Sequence, residues 1–199
     1  MTVSIVVPTS SVIAVSPVDP YQVCVIEQNG KHKGRLTLVG GKVIMPEQTH
    51  EQCALEEWDQ EAGGKSAKLV DVSLWAIKTD AHSDVRSATL GKLTHDRCPE
   101  ELRSTVVTGH YGCPDYLYLA KVEGEPFPFD GEAKSCKFID VRDVAWTATE
   151  AESRYGAQHD LILMVYRLWL SGRPVDLSDF ADFRALRAKL RDLLADVKD

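Results

Sequence analysis

The sequence is short of everything that would place it in a membrane or on duplex nucleic acid. No apolar run approaches the roughly 20 residues needed to span a bilayer. The opening stretch, MTVSIVVPTSSVIAV, holds no Lys or Arg, so a secretory signal is not expected there. Positive charge is in deficit, with 23 Lys and Arg against 30 Asp and Glu and a net charge of −7. A duplex-binding surface needs a basic patch instead. Cysteine is sparse, five residues, odd in number and scattered. That argues against a disulfide framework and suits a reducing, cytoplasmic setting. No internal repeat and no low-complexity segment divides the chain. What remains is ordinary for a soluble globular protein, 44% hydrophobic and 27% charged. A length of 199 residues fits one domain, with a core over about 3–171 and a C-terminal helix over about 178–198.

One further absence is local. Between Glu47 and Gly64 there is no Lys or Arg, while Glu47, Glu51, Glu56, Glu57, Asp59 and Glu61 all fall there. Like charges at helical spacing repel, and acids in a last helical turn oppose the dipole. Such a segment is poor for stability unless a cation binds it, and Mg²⁺ is commonly held by one or two carboxylates plus substrate phosphates. Thr49 followed by Gln52 has the form of a capping box. Ala54, Trp58 and Ala62 make an apolar stripe, Gly63 suits the C-terminal cap, and Glu57 and Glu61 stand one helical turn apart. Gly40-Gly41, expected as a turn, would lay bare backbone against the acidic face and leave room for a phosphate chain.

The stretch Gly41–Gly64 resembles the Nudix box, in which G, five residues, E and seven residues precede R-E-(apolar)-x-E-E-x-G-(apolar). Gly41, the five-residue spacer, Glu47, Glu57, Trp58, Glu61 and Gly63 match as they stand. Eight residues rather than seven follow Glu47, Glu56 takes the Arg place, Gln60 replaces the first Glu of the pair, and Gly64 replaces the last apolar residue. The resemblance implies an α+β fold, a mixed sheet sandwiched between helices, here with an extra C-terminal helix. It implies Mg²⁺, or Mn²⁺, held by Glu57 and Glu61 with Gln60 beside them. It further implies hydrolysis of a phosphoanhydride in a nucleoside diphosphate linked to another moiety, such as ADP-ribose, a sugar nucleotide, a dinucleotide or a nucleoside triphosphate. Glu57 or Glu132 would take the proton. Glu132, in Gly131-Glu132-Ala133, resembles the acid many members keep in the loop before a late strand. Glu47 would brace the loop, and Gly40 and Gly41 would give close backbone approach. The departures at 56 and 60 favour the alternative of a Nudix domain that binds a nucleotide without cleaving it.

The flanking chain reads as strands and helices in alternation. Residues 3–7, 11–16 and 22–27 are Val- and Ile-rich and bounded by turn residues. Asn29-Gly30 marks a hairpin that returns through Arg35–Val39. Lys31, His32, Lys33 and Arg35 sit at its tip, where Arg35 could meet a phosphate. Further strands are expected at Lys68–Ile77, with Val70, Val72, Leu74 and Ala76 on one face, near Ser87–Leu93, at Tyr116–Val122 and at Lys134–Val141. His159–Leu170 has helical apolar spacing, with His159 read as a cap-region residue. Asp179–Val197 carries Phe180, Phe183, Leu186, Leu190 and Leu194 on one stripe, fit to cover the domain or to pair with a second subunit as a homodimer. His95, Cys98, His110 and Cys113 could form a tetrahedral Zn²⁺ site or be plain structural residues. The expected partner is a nucleotide-type small molecule, with no duplex nucleic acid and no membrane.

Overall fold

The computed structural model describes residues 8–29, 33–44, 47–78, 115–129, 131–156, 158–173 and 183–197. The expected strands at 3–7 and 87–93, and the His95, Cys98, His110 and Cys113 set, lie outside these residues. Among the described residues seven strands form one mixed sheet: β1 Thr9–Val15, β2 Gln22–Gln28, β3 Leu36–Thr37, β4 Val39–Lys42, β5 Ala67–Lys78, β6 Asp115–Gly124 and β7 Ala133–Asp140. The order is β3-β2-β1-β6-β5, with β4 on β1 and β7 on β2. β1 and β6 run parallel, and the remaining pairs are antiparallel.

Side-chain alternation along β1 divides the core in two. Val12 and Ala14 face α1 (His50–Trp58), whose Ala54 and Trp58 pack there with Ala62, Tyr116, Tyr118, Ala120 and Val122. Ile13 and Val15 face the other way, onto α2 (His159–Leu170) and α3 (Phe183–Ala195). The sheet is therefore sandwiched between helices, an α+β architecture with the expected extra C-terminal helix. Among the described residues no helix is long and apolar enough to cross a membrane.

The C-terminal helix covers its own domain. Leu186 and Leu190 are buried against α2, and Arg187 enters the interior to meet Asp160 at 2.6 and 3.1 Å. Arg187 also donates to the Thr147 hydroxyl at 3.0 Å. Both ionic partners are almost fully buried, so removal of one leaves the other charged and dry.

Three expectations need correction. Arg35–Val39 is not one strand, because the Leu38 amide donates to His159 Nδ1 at 2.8 Å and thus leaves the ladder. The chain then changes partner, from β2 at Leu36–Thr37 to β1 at Val39–Lys42. Gly40-Gly41 consequently forms no turn, but the middle of β4, opposite Ser11 and Ser10. In β5 the single apolar face is broken, since Asp71 adopts φ 54° and the register shifts on either side of Ser73–Leu74. Leu69, Val72 and Ile77 pack on the α1 side, Trp75 and Ala76 on the other, and Leu74 is exposed.

Candidate active site

The acidic helix forms as its sequence specifies. Thr49 Oγ1 accepts from the Gln52 amide at 3.1 Å, and Gln52 Oε1 accepts from the Thr49 amide at 2.9 Å, a reciprocal cap of the first turn. The α-helix ends at Trp58, and the chain continues through a π turn, Asp59–Gly63. Single π turns are rare and concentrate at functional sites. Gly64, rather than Gly63, takes the positive φ of 50°. Gly63 is needed for space, since a Cβ there would strike the Trp58 indole.

The π turn determines how the two acids are presented. Glu61 is only 2% exposed, and its Oε2 accepts from the Gly40 amide at 3.2 Å. Glu57, half-buried, lies over Gly41 so closely that a Cβ on that glycine would overlap its carboxylate. A Cβ on Gly40 would meet the Ser10 carbonyl and come within 2.7 Å of Ser11 Cα. Neighbouring glycines on one strand thus seat neighbouring carboxylates, and the requirement is room rather than unusual backbone angles.

The other expected residues stand around this pair at various removes. Gln60 is exposed on the outer side of the π turn. Glu56, also exposed, accepts from Gln48 Nε2 at 2.5 Å, and Gln48 Oε1 accepts from the Ile44 amide at 2.9 Å. An uncharged amide therefore meets the acid found in the Arg place, and the loop is tied through Gln48 while Glu47 is exposed. Arg35 donates to the Ala151 carbonyl at 3.5 Å. That directs it toward the 150–156 segment, which pairs with β3 at Leu36 and Tyr155. Glu132 is exposed just before β7, and its backbone carbonyl accepts from the Asn29 amide at 2.8 Å.

Several neighbours carry no signal in the sequence. His50 stacks on Tyr116 with ring centroids 3.5 Å apart, and burial holds its imidazole below the usual range. Cys53, one turn before Glu57, is pushed up to about 11 by burial and then by the Glu57 and Glu56 charges. Buried Asp115 accepts from Ser11 Oγ at 3.0 Å to both carboxylate oxygens. Cys24 and Cys136 lie Sγ to Sγ at 3.1 Å. Their shared hydrogen bond raises Cys24 and lowers Cys136, while the Glu61 charge works against ionisation of Cys136.

Hard oxygen donors suit a hard cation. Among the described residues no group of three or more His, Cys, Asp or Glu forms a complete metal cage. Mg²⁺ does not require one, because it keeps waters and takes substrate phosphates as ligands. The donor set Glu57 and Glu61, floored by bare backbone, fits that pattern.

The NUDIX domain profile matches residues 7–161 of the chain. The chain belongs to the Nudix family. Solved Nudix structures share the fold at low identity. A NUDIX hydrolase from Nitrosomonas europaea is 9% identical, with 89% of this chain and 97% of that one covered at a TM-score of 0.53. A second from the same organism is 16% identical, with 87% and 78% covered at 0.51. A MutT/nudix family protein from Enterococcus faecalis is 12% identical, with 100% and 77% covered at 0.50. No curated protein matches the chain. By class the chain is a Nudix-type hydrolase acting on phosphoanhydride bonds.

Proposed function

We propose that this Nudix domain is a Mg²⁺-dependent pyrophosphohydrolase, Mn²⁺ being able to substitute, and that it cleaves a nucleoside diphosphate linked to another moiety. The supporting observation is the seating of Glu57 and Glu61 on Gly41 and Gly40. A divalent ion bound there would neutralise phosphate charge and acidify the attacking water. Glu57, the more accessible acid, and Glu61, oriented by the Gly40 amide, would both hold the metal. Gly40 and Gly41 would let the pyrophosphate approach the strand. Glu132 or Glu57 would accept the proton of the water, which requires a carboxylate within hydrogen-bond reach. Gln60 would add an amide oxygen toward the metal, Glu47 would brace the loop on the substrate side, and Arg35 would meet a distal phosphate. The expected setting is cytoplasmic, with a small nucleotide as partner rather than duplex nucleic acid or a membrane; a homodimer would show in sedimentation.

The test is Mg²⁺-dependent release of nucleoside monophosphate from a panel of ADP-ribose, sugar nucleotides, dinucleotides and nucleoside triphosphates. Turnover abolished in Glu57→Gln and Glu61→Gln supports the reading. A panel without turnover, joined to unchanged Mn²⁺ affinity in both variants, overturns it.

A second reading draws on the Glu56–Gln48 bond. An acid tied to a neutral amide replaces the Arg of the family pattern, which suits a nucleotide-binding sensor that cleaves slowly or not at all. Calorimetry with ADP-ribose and Mg²⁺ that shows binding, followed by product analysis that finds no cleavage, would favour the sensor.

A further inference from the structure

The hydrolase reading leaves the Cys24–Cys136 pair without a role. Cys24 lies opposite Phe138 and Ile26 opposite Cys136 in the β2–β7 ladder, so the two cysteines are diagonal neighbours on one face. That face looks toward α1, where Cys24 is wholly buried and Cys136 half-buried. β7 packs against the π turn that carries Glu61, and Cys136 lies within reach of the Glu61 charge. The sulfurs are 3.1 Å apart, whereas a disulfide bond measures about 2.05 Å. Closure thus requires a movement of only about 1 Å from each other's present positions, shared between two strands already hydrogen-bonded to one another.

We propose that Cys24 and Cys136 are a reversible oxidation site, converted by a peroxide into a disulfide that staples β2 to β7. The Cys136 sulfur, the less buried of the two, attacks one peroxide oxygen, the O–O bond breaks, and a sulfenic acid and water result. The Cys24 sulfur then attacks the Cys136 sulfur, the S–O bond breaks, and a second water carries away the hydroxyl and the thiol proton. The dithiol loses two electrons and the peroxide gains them. A disulfide formed there is opened again by thiol–disulfide exchange with an external dithiol.

The experiment uses the full chain treated with hydrogen peroxide, then alkylated, digested and mapped by mass spectrometry. The expected result is the loss of two hydrogens from the intact mass, with a peptide joining Cys24 to Cys136. Dithiothreitol should remove that link, and Cys136→Ser should prevent it. If both cysteines of the oxidised wild-type chain remain alkylatable, the proposal is overturned. It is equally overturned if added oxygen accumulates without a link, or if the link formed runs through Cys53, Cys98 or Cys113. The mapping needs neither substrate nor metal, so its outcome is separate from that of the hydrolase reading.

Discussion

Gly41 and Glu57 compete for one volume, since the carboxylate of the acid occupies the place where a side chain on the glycine would begin. Gly41→Ala should therefore displace Glu57 while leaving the strand's backbone angles acceptable. Overpacking of this kind costs about 1–3 kcal/mol in a well-packed site. The hydrolytic kcat/KM should fall at least about tenfold, equivalent to about 1.4 kcal/mol of transition-state stabilisation. A parallel Mn²⁺ titration followed by electron paramagnetic resonance should show weakened binding. Unchanged turnover and unchanged Mn²⁺ affinity would refute the seating.

The Gln48–Glu56 bond makes a different demand. Gln48→Glu would put two carboxylates where an amide now donates at 2.5 Å, and should loosen the loop that runs back to Ile44. Glu56→Gln should keep a bond, because an amide can still accept through its oxygen. Steady-state kinetics should thus show an altered KM for Gln48→Glu and a smaller change for Glu56→Gln. Global stability should move little, within about 0.5 kcal/mol for such surface positions. Equal effects from both variants would remove the significance of the bond.

How much of this was legible in the sequence depended on how local the cause was. The Thr49–Gln52 cap operates within one helix and stands as the residues specify, and Ala54, Trp58 and Ala62 share one buried face although Ala62 lies in the π turn. The division of Arg35–Val39 into two strands does not, because it arises from His159, 121 positions away, taking the Leu38 amide. The placement of Gly40 and Gly41 inside β4 follows from that division. The π turn was equally hidden, since Asp59–Gly63 has the same composition as a continuing α-helix. The β5 bulge depends on Asp71 accepting a left-handed conformation, with Lys121 held at 2.8 Å from its carboxylate. Cys24 and Cys136 occupy ordinary apolar-facing strand positions, and only the register of β2 against β7 brings them together.

Alkaline pH should expose the burial of Cys53. Its folded-state pKa of about 11 lies above the ordinary thiol value of 9.0, so folding favours the neutral thiol. The stability this contributes is complete below the ordinary value and is lost as pH rises toward and through about 11. Tyr118, Tyr155 and Tyr166 are raised as well, chiefly by burial, and will add to the alkaline loss. The informative quantity is consequently the difference between wild type and Cys53→Ala. Urea midpoints measured from pH 8 upward should fall less steeply in the variant. Parallel curves would mean that the Cys53 thiol titrates alike in the folded and unfolded chain.

The pairing of Arg187 with Asp160 makes α3 part of the domain rather than an appendage. Arg187→Ala should leave the fully buried Asp160 carboxylate without its bidentate partner. Breaking a buried pair in this way typically costs about 3–5 kcal/mol, a large share of the roughly 5–15 kcal/mol that holds a domain folded. Replacing both partners with apolar residues of similar size, as in Arg187→Met with Asp160→Leu, should restore most of that loss, because neither charge then remains to be desolvated. Urea denaturation of the two single variants and the double variant decides the matter. A double variant as unstable as the singles would mean that α3 is held by the geometry of this bridge. Recovery in the double variant would mean that the apolar contacts of Leu186 and Leu190 are sufficient once the buried charge is gone.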